Sequence, residues 1–147
     1  MNDDRTLQAF FSYAPSHYWA SSINDYGGPV TNPTYLLGSE TDGQYAVLEG
    51  YGPYQYYGWI EATMDSQATG HIYMYGSCAS GYSGHLYVYV SSNGNSWSLV
   101  GSPYVSSTSP YWIDCGTYQS TFNYIAVTVE NPNEFVIIEL DAVRVEP

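Results

Sequence analysis

Short alternations of apolar and polar residues recur along the chain, bounded by Gly, Pro, Asn and Ser. A side-chain period of two marks a half-buried strand. The pattern predicts strands at Thr6 to Ser12, Tyr45 to Glu49, Gly58 to Met64, His71 to Gly76, His85 to Ser91, Ser96 to Val100, Tyr111 to Asp114, Tyr124 to Glu130 and Phe135 to Val145. No segment carries a convincing helical period. The expected fold is all-β, an antiparallel two-sheet β-sandwich of the jelly-roll type. Asn93-Gly94 sits between two strands and predicts a tight hairpin turn. The polar stretch from Ser21 to Glu40 reads as a long loop, either functional or pinned by an ion.

Strand parity sorts the tyrosines. Ile72 and Met74 share one face and Tyr73 and Tyr75 the other; Leu86, Val88 and Val90 oppose Tyr87 and Tyr89 in the same way. If these two strands pair or lie close together, they assemble four tyrosines on one outer surface. Tyrosine is a good strand former whose hydroxyl reaches water, so such a face can be structural. It can also stack the apolar C–H faces of pyranose rings, or bury against another protein. A second aromatic cluster, Gly50 to Trp59, reads as a loop entering a strand. Trp59 is expected to turn inward, leaving Tyr54, Tyr56 and Tyr57 to contact a ligand.

At 147 residues the chain has the length of one domain, spanning 1–147. Fourteen acidic residues face only Arg5 and Arg144, with no Lys, giving a net charge of -12. Nucleic acid and anionic membrane are therefore poor partners, because their affinity rests on Lys and Arg neutralising phosphates. No run approaches membrane-spanning length, so membrane insertion is not expected. Excess carboxylate suits cation binding, or solubility in a protein that displays many aromatics. Cys78 and Cys115 are expected to form a disulfide worth roughly 3–4 kcal/mol, the alternative being two buried thiols. The N-terminus shows no basic segment leading into an apolar one, which implies a replaced signal or a domain cut from a larger surface protein.

Catalytic signatures are lacking. Glu49 and Glu61 form a conceivable carboxylate pair, and Ser16 adjoins His17, but neither spacing defines a reaction geometry. His71, Cys78, His85 and Cys115 lack zinc-ligand spacing. An enzyme is not expected.

Several short pieces, in order, are Ala20-Ser21-Ser22, Thr41-Asp42-Gly43, Gly58-Trp59-Ile60, the run Tyr89 to Trp97, Tyr124 to Val127, and Glu139 to Val145. Their order resembles the galactose-binding-like β-sandwich superfamily, which includes discoidin-like domains and many carbohydrate-binding modules. The resemblance implies one structural Ca²⁺ held by Asp42 and Asp141, with Glu139, Ser39 or Thr41 as further candidates and backbone carbonyls of residues 38–43 completing the shell. The chemistry fits, since Ca²⁺ takes six to eight oxygens and Gly permits the sharp turn. Parity places Glu139 and Asp141 with Ile137 and Val143. The alternative is an Asp-Gly turn capped by its own side chain, with solvated strand-end carboxylates. The resemblance also makes Trp97 a core residue under the hairpin. It points glycan contacts to the 16–28 and 50–57 loops or to the Tyr-lined strands, without the basic residues that galactose binders use.

The expected function is an extracellular or cell-surface carbohydrate-binding or adhesion module for a neutral or acidic glycan, with calcium holding the scaffold. The rival is a structural subunit of a surface layer, sheath or fibre. It would self-associate through tyrosine faces and through Arg5 to Tyr13 added to a neighbour's sheet edge.

Overall fold

A computed structural model describes residues 17–38 and 40–147. The strands are β1 (Ala20–Gly27), β2 (Val30–Thr31), β3 (Ala46–Tyr51), β4 (Tyr56–Tyr57), β5 (Trp59–Cys78), β6 (Gly84–Ser91), β7 (Ser98–Gly101), β8 (Tyr104–Val105), β9 (Tyr111–Glu130) and β10 (Phe135–Glu146). Two short 3-10 turns, Pro33–Leu36 and Gly52–Tyr54, complete the described elements. The expected strand at Thr6 to Ser12 lies outside the described residues.

All pairings are antiparallel, in the order β2-β3-β10-β5-β9-β6-β7, with β1 on β5, β4 on β3 and β8 on β6. The expected strand pairs 58–64/71–76 and 111–114/124–130 are each one continuous strand of 20 residues. Their mutual register slips between Thr63 and Ala68 and again before Gly70. Such bulges bend and twist a strand pair, so β5 and β9 serve both layers of the sandwich. The first halves of β5 and β1 join the second half of β9, β6 and β7; the second half of β5 joins the first half of β9, β10, β3 and β2. The fold is thus the expected β-sandwich.

Alternation explains the core. Ile60, Ala62 and Met64 of β5, Leu86, Val88 and Val90 of β6, and Ile125, Val127 and Val129 of β9 all point inward, as do Ile72, Met74, Ile113, Ile138 and Leu140 from the other layer. Phe122 is fully buried where β9 bends. Gly70 sits at φ 125°, and a Cβ there would lie 2.1 Å from the Glu146 carbonyl oxygen. Only glycine allows the two chains to pass so closely.

Three expectations are corrected. The β6–β7 connection runs from Ser92 to Trp97 and is no tight two-residue turn: Gly94 has φ 79° but Asn93 does not have positive φ, and the type I′ turn needs both. Ser91 Oγ instead accepts the N–H groups of Asn93 (3.2 Å) and Gly94 (2.8 Å), while Asn93 Oδ1 accepts those of Asn95 (2.8 Å) and Ser96 (2.9 Å). The polar stretch after Ala20 contains β1, an edge strand whose main chain pairs with β5 without an apolar alternation of its own.

Cys78 and Cys115 are both buried free thiols. They occupy neighbouring strands, but Cys115 lies beside the register of Ile72 and Tyr73 whereas Cys78 ends β5. Five to six positions at ~3.3 Å each separate them by about 18 Å along the ladder, against the ~4.4–6.8 Å between Cα atoms that a disulfide spans. Burial, with Asp114 adding to it, pushes the Cys115 thiol up to about 12.

Candidate functional site

The outer face of the β1-β5-β9-β6 layer is organised in cross-strand rows. Asp25, Glu61, Ala126, Tyr89 and Leu99 form one row; Gly27, Trp59, Thr128 and Tyr87 form the next. Neighbouring strands are ~4.8 Å apart, so Glu61 and Tyr89 stand about 10 Å from each other with only Ala126 between them. Ala126 and Thr128 are therefore a low floor between taller walls. Trp59, Glu61, Tyr89 and Trp97 line a groove of about 250 Å³ over that floor. Thr128 Oγ1 is tied down, donating to the Gly58 carbonyl at 2.8 Å.

Neighbours fix the walls. The Trp59 indole lies against Gly27, where a Cβ would come 2.7 Å from Cζ2. Trp97 is carried over the sheet by the loop that Ser91 and Asn93 brace. Burial, followed by the charge of Asp25 opposite, raises the Glu61 carboxyl above its ordinary range. Tyr57 belongs to the same neighbourhood: burial first, then Glu130 and Tyr87, raise its phenol. Trp59 and Trp97 thus depart from the expectation of core positions. Ile60 takes the inward place beside Trp59, and both indoles remain partly exposed on the outer face.

Tyr73 and Tyr75 do not join Tyr87 and Tyr89 in one platform. β9 separates β5 from β6, and Tyr73 and Tyr75 lie on the half of β5 that pairs with β10 in the other layer. There His71 stacks on Tyr73 at 4.5 Å and Tyr75 meets Trp112 at 5.2 Å. The Arg144 guanidinium sits 4.4 Å over the Trp112 ring. Tyr73, Trp112, Arg144 and Glu146 border a smaller groove of about 190 Å³. His71 bridges Asp114 (2.6 Å) and Thr117 (3.0 Å), and its hydrogen bond, with that of the Gly116 N–H, lowers the Asp114 carboxyl.

A third aromatic group lies on the 50–57 segment. Tyr51 packs edge-on against Phe135 at 4.7 Å and stacks with Tyr56 at 6.2 Å; Tyr54 is 82% exposed. Tyr57 turns away from this cluster toward Tyr87. Glu49 accepts the Tyr51 hydroxyl at 3.2 Å, while Glu61 lines the groove, so the two acids serve different neighbourhoods.

The proposed cation ligands are partly assembled. Asp141 is 1% exposed, with Oδ2 accepting the Gly43 N–H at 3.0 Å and Oδ1 buried without a hydrogen-bond partner. Asp42 is exposed and accepts the Gln44 N–H at 2.9 Å. The Gln44 hydrogen bond lowers Asp42, whereas burial raises Asp141. The expected shared face of Glu139, Asp141 and Val143 is corrected: a bulge between Leu140 and Ala142 breaks the alternation at Asp141. Glu139 consequently stays with Ile137 on the outer side, while Val143 is fully buried. Thr41 is exposed, and Ser39 lies outside the described residues. Among the described residues, no group of three or more His, Cys, Asp or Glu is arranged to hold a metal.

No protein-family model and no curated protein matches the chain. Solved structures do. A pectin-binding carbohydrate-binding module superimposes with TM-score 0.56 and 12% identity over 86% of this chain and 92% of that one. The CBM32 of AlyQ, in complex with 4,5-unsaturated mannuronic acid, gives TM-score 0.56 and 16% identity over 86% and 96%. CBM32-3 from a family 31 glycoside hydrolase of Clostridium perfringens gives 0.54 and 11% over 88% and 91%. The chain shares the β-sandwich fold of these modules, the fold that its sequence resemblance implied.

Proposed function

We propose that this chain is a non-catalytic carbohydrate-binding or adhesion module that works outside the cell or at its surface. The observation that carries the reading is the groove of Trp59, Tyr89 and Trp97 with Glu61 on one wall. Flat aromatic walls suit the C–H faces of a sugar ring, and a carboxylate accepts sugar hydroxyls. A Tyr-rich band from Tyr57 through Tyr87 and Tyr89 extends the surface. Proteins of the same fold bind pectin or an unsaturated mannuronic acid, which supports a saccharide partner. Polysaccharide pull-down and affinity electrophoresis test the reading. Retardation by at least one glycan, lost in Trp97→Ala but kept in Tyr73→Ala, is expected; no retardation by plant, microbial or host glycans would refute it.

Calcium belongs to the same proposal. The unpartnered, buried Oδ1 of Asp141 beside Asp42 supports a cation there, since burying a carboxylate oxygen without a donor is costly. Asp42 and Asp141 would hold the ion together with backbone carbonyls of the 40–43 turn. Bound, the ion would neutralise the two acids and tie that turn to β10, leaving recognition to the groove.

A second reading, self-assembly into a surface layer or fibre, draws on the exposed Tyr54, Tyr56 and Phe135. Concentration-dependent light scattering separates the two. A strict monomer at high concentration disposes of self-assembly.

A further inference from the structure

We infer that the groove of Trp59, Trp97 and Tyr89 takes an amino sugar, its ammonium group held against the aromatic rings with Glu61 as counter-ion. The inference rests on the saccharide reading above and narrows it away from the neutral or acidic glycan that the sequence suggests.

Three observations converge. Three of the groove's walls are aromatic rings, two of them indoles, whose faces attract a desolvated cation. The remaining tall wall is Glu61, and neither ion pair among the described residues, His71–Asp114 or Arg144–Glu146, involves it. Its cross-strand neighbour is another acid, Asp25, and like charges directly opposite are unfavourable. Burial and Asp25 together hold the Glu61 carboxyl above its usual range, the state that a bound cation relieves.

The rest of the chain points the same way. Arg144, the one Lys or Arg among the described residues, is held on Trp112 of the other layer. Glu130, near Tyr57 and Tyr87, adds further negative charge to the groove's own face. A net charge of -12 concentrates cations at such a surface. A uronic acid would bring a further carboxylate against Asp25 and Glu61 with no cation to meet it. A neutral sugar would stack but leave those acids uncompensated.

Tryptophan fluorescence titrations of the whole chain provide the test, at a mildly acidic pH where the amine is charged. The probes are a glucosamine oligomer, its N-acetylated counterpart of equal length, an oligogalacturonate, and choline chloride. The glucosamine oligomer is expected to bind about tenfold more tightly than the acetylated one, with the margin shrinking as salt rises. Glu61→Gln should bring its affinity down to that of the acetylated oligomer. Trp97→Ala, which keeps the net charge, should abolish saturable binding; unchanged binding by that variant would mean diffuse attraction to an acidic surface and would overturn the inference. Equal or tighter binding of the acetylated oligomer or the oligogalacturonate would overturn the amino-sugar assignment and leave the carbohydrate reading standing. Choline binding without amino-sugar binding would overturn it in favour of a bare ammonium site. If no saccharide binds, both readings fail.

Discussion

The backbone N–H of Gly43 donates to Asp141 Oδ2 at 3.0 Å, joining positions 98 residues apart. This contact brings the Asp42-Gly43 turn to the bulge of β10 and leaves the second Asp141 oxygen buried and unpartnered. In that arrangement one carboxylate is solvated while its neighbour is not.

Calcium should stabilise the wild-type protein and not Asp141→Asn. An amide at 141 keeps an oxygen for the Gly43 N–H and adds N–H donors facing Asp42, but lacks the charge a hard cation needs. Wild-type melting temperature should rise on adding calcium to chelator-treated protein, by the equivalent of about 2.7 kcal/mol at a hundredfold excess over Kd. The variant should show no rise. An identical response from both proteins would remove Asp141 from the site.

In the metal-free protein the Asp141 carboxyl should weaken the fold as pH climbs out of the acid range. Burial raises Asp141, so the folded state holds its proton more tightly than the unfolded chain does. The resulting stability is fully present below the unfolded value, about 3.9, and is lost as pH rises through the raised folded value. Asp42 is lowered and runs oppositely: its contribution is present above the unfolded value and falls away as pH drops through the lowered one. Chelator-treated melting curves across this range should show the wild type losing stability relative to Asp141→Asn toward neutral pH. A wild-type pH dependence identical to that of Asp141→Asn would contradict this sign.

Both thiols should resist modification in the native protein. Burial raises Cys78 and, with Asp114, lifts Cys115 to about 12, so almost no thiolate forms at neutral pH. Alkylation should label neither residue without denaturant and both with it, and a reductant should leave the melting temperature unchanged. A drop on reduction would mean a disulfide after all.

Which features could be read from the sequence follows from physics local to each segment. Leu86, Val88 and Val90 alternate with Tyr87 and Tyr89 because one face of β6 is buried, so that strand was legible. The continuity of β5 was not, because its middle, Asp65 to Gln67, crosses between layers where polar side chains reach water and the alternation lapses. β1 was hidden for a related reason: an edge strand paired through its main chain needs no apolar face. The bulge at Asp141 shifts parity by one, which no residue count reveals. That shift undid the expected shared face of Glu139 and Asp141 while leaving the Asp42–Asp141 junction intact. The groove was missed because Trp59 and Trp97 read as core. The usable signal was Ile60: with Ile60 inward, parity sends both Trp59 and Glu61 outward.

Gly27→Ala should impair binding more than folding. Its Cβ would fall 2.7 to 2.9 Å from three atoms of the Trp59 indole, closer than any real contact. The backbone of β1 is fixed by its ladder to Trp59, Ile60 and Glu61 of β5, so the ring, which faces solvent on its other side, is the part that yields. A tilt toward Thr128 would narrow the groove over its floor. Stability should fall by only about 1–2 kcal/mol, a typical cost of overpacking where a side chain can move. Glycan affinity should fall at least as far as in Trp59→Ala, because a misplaced ring both stops stacking and occupies the space. Titration calorimetry beside thermal melts makes the comparison. A variant that binds normally would show that the position of Trp59 over Gly27 is a matter of packing alone.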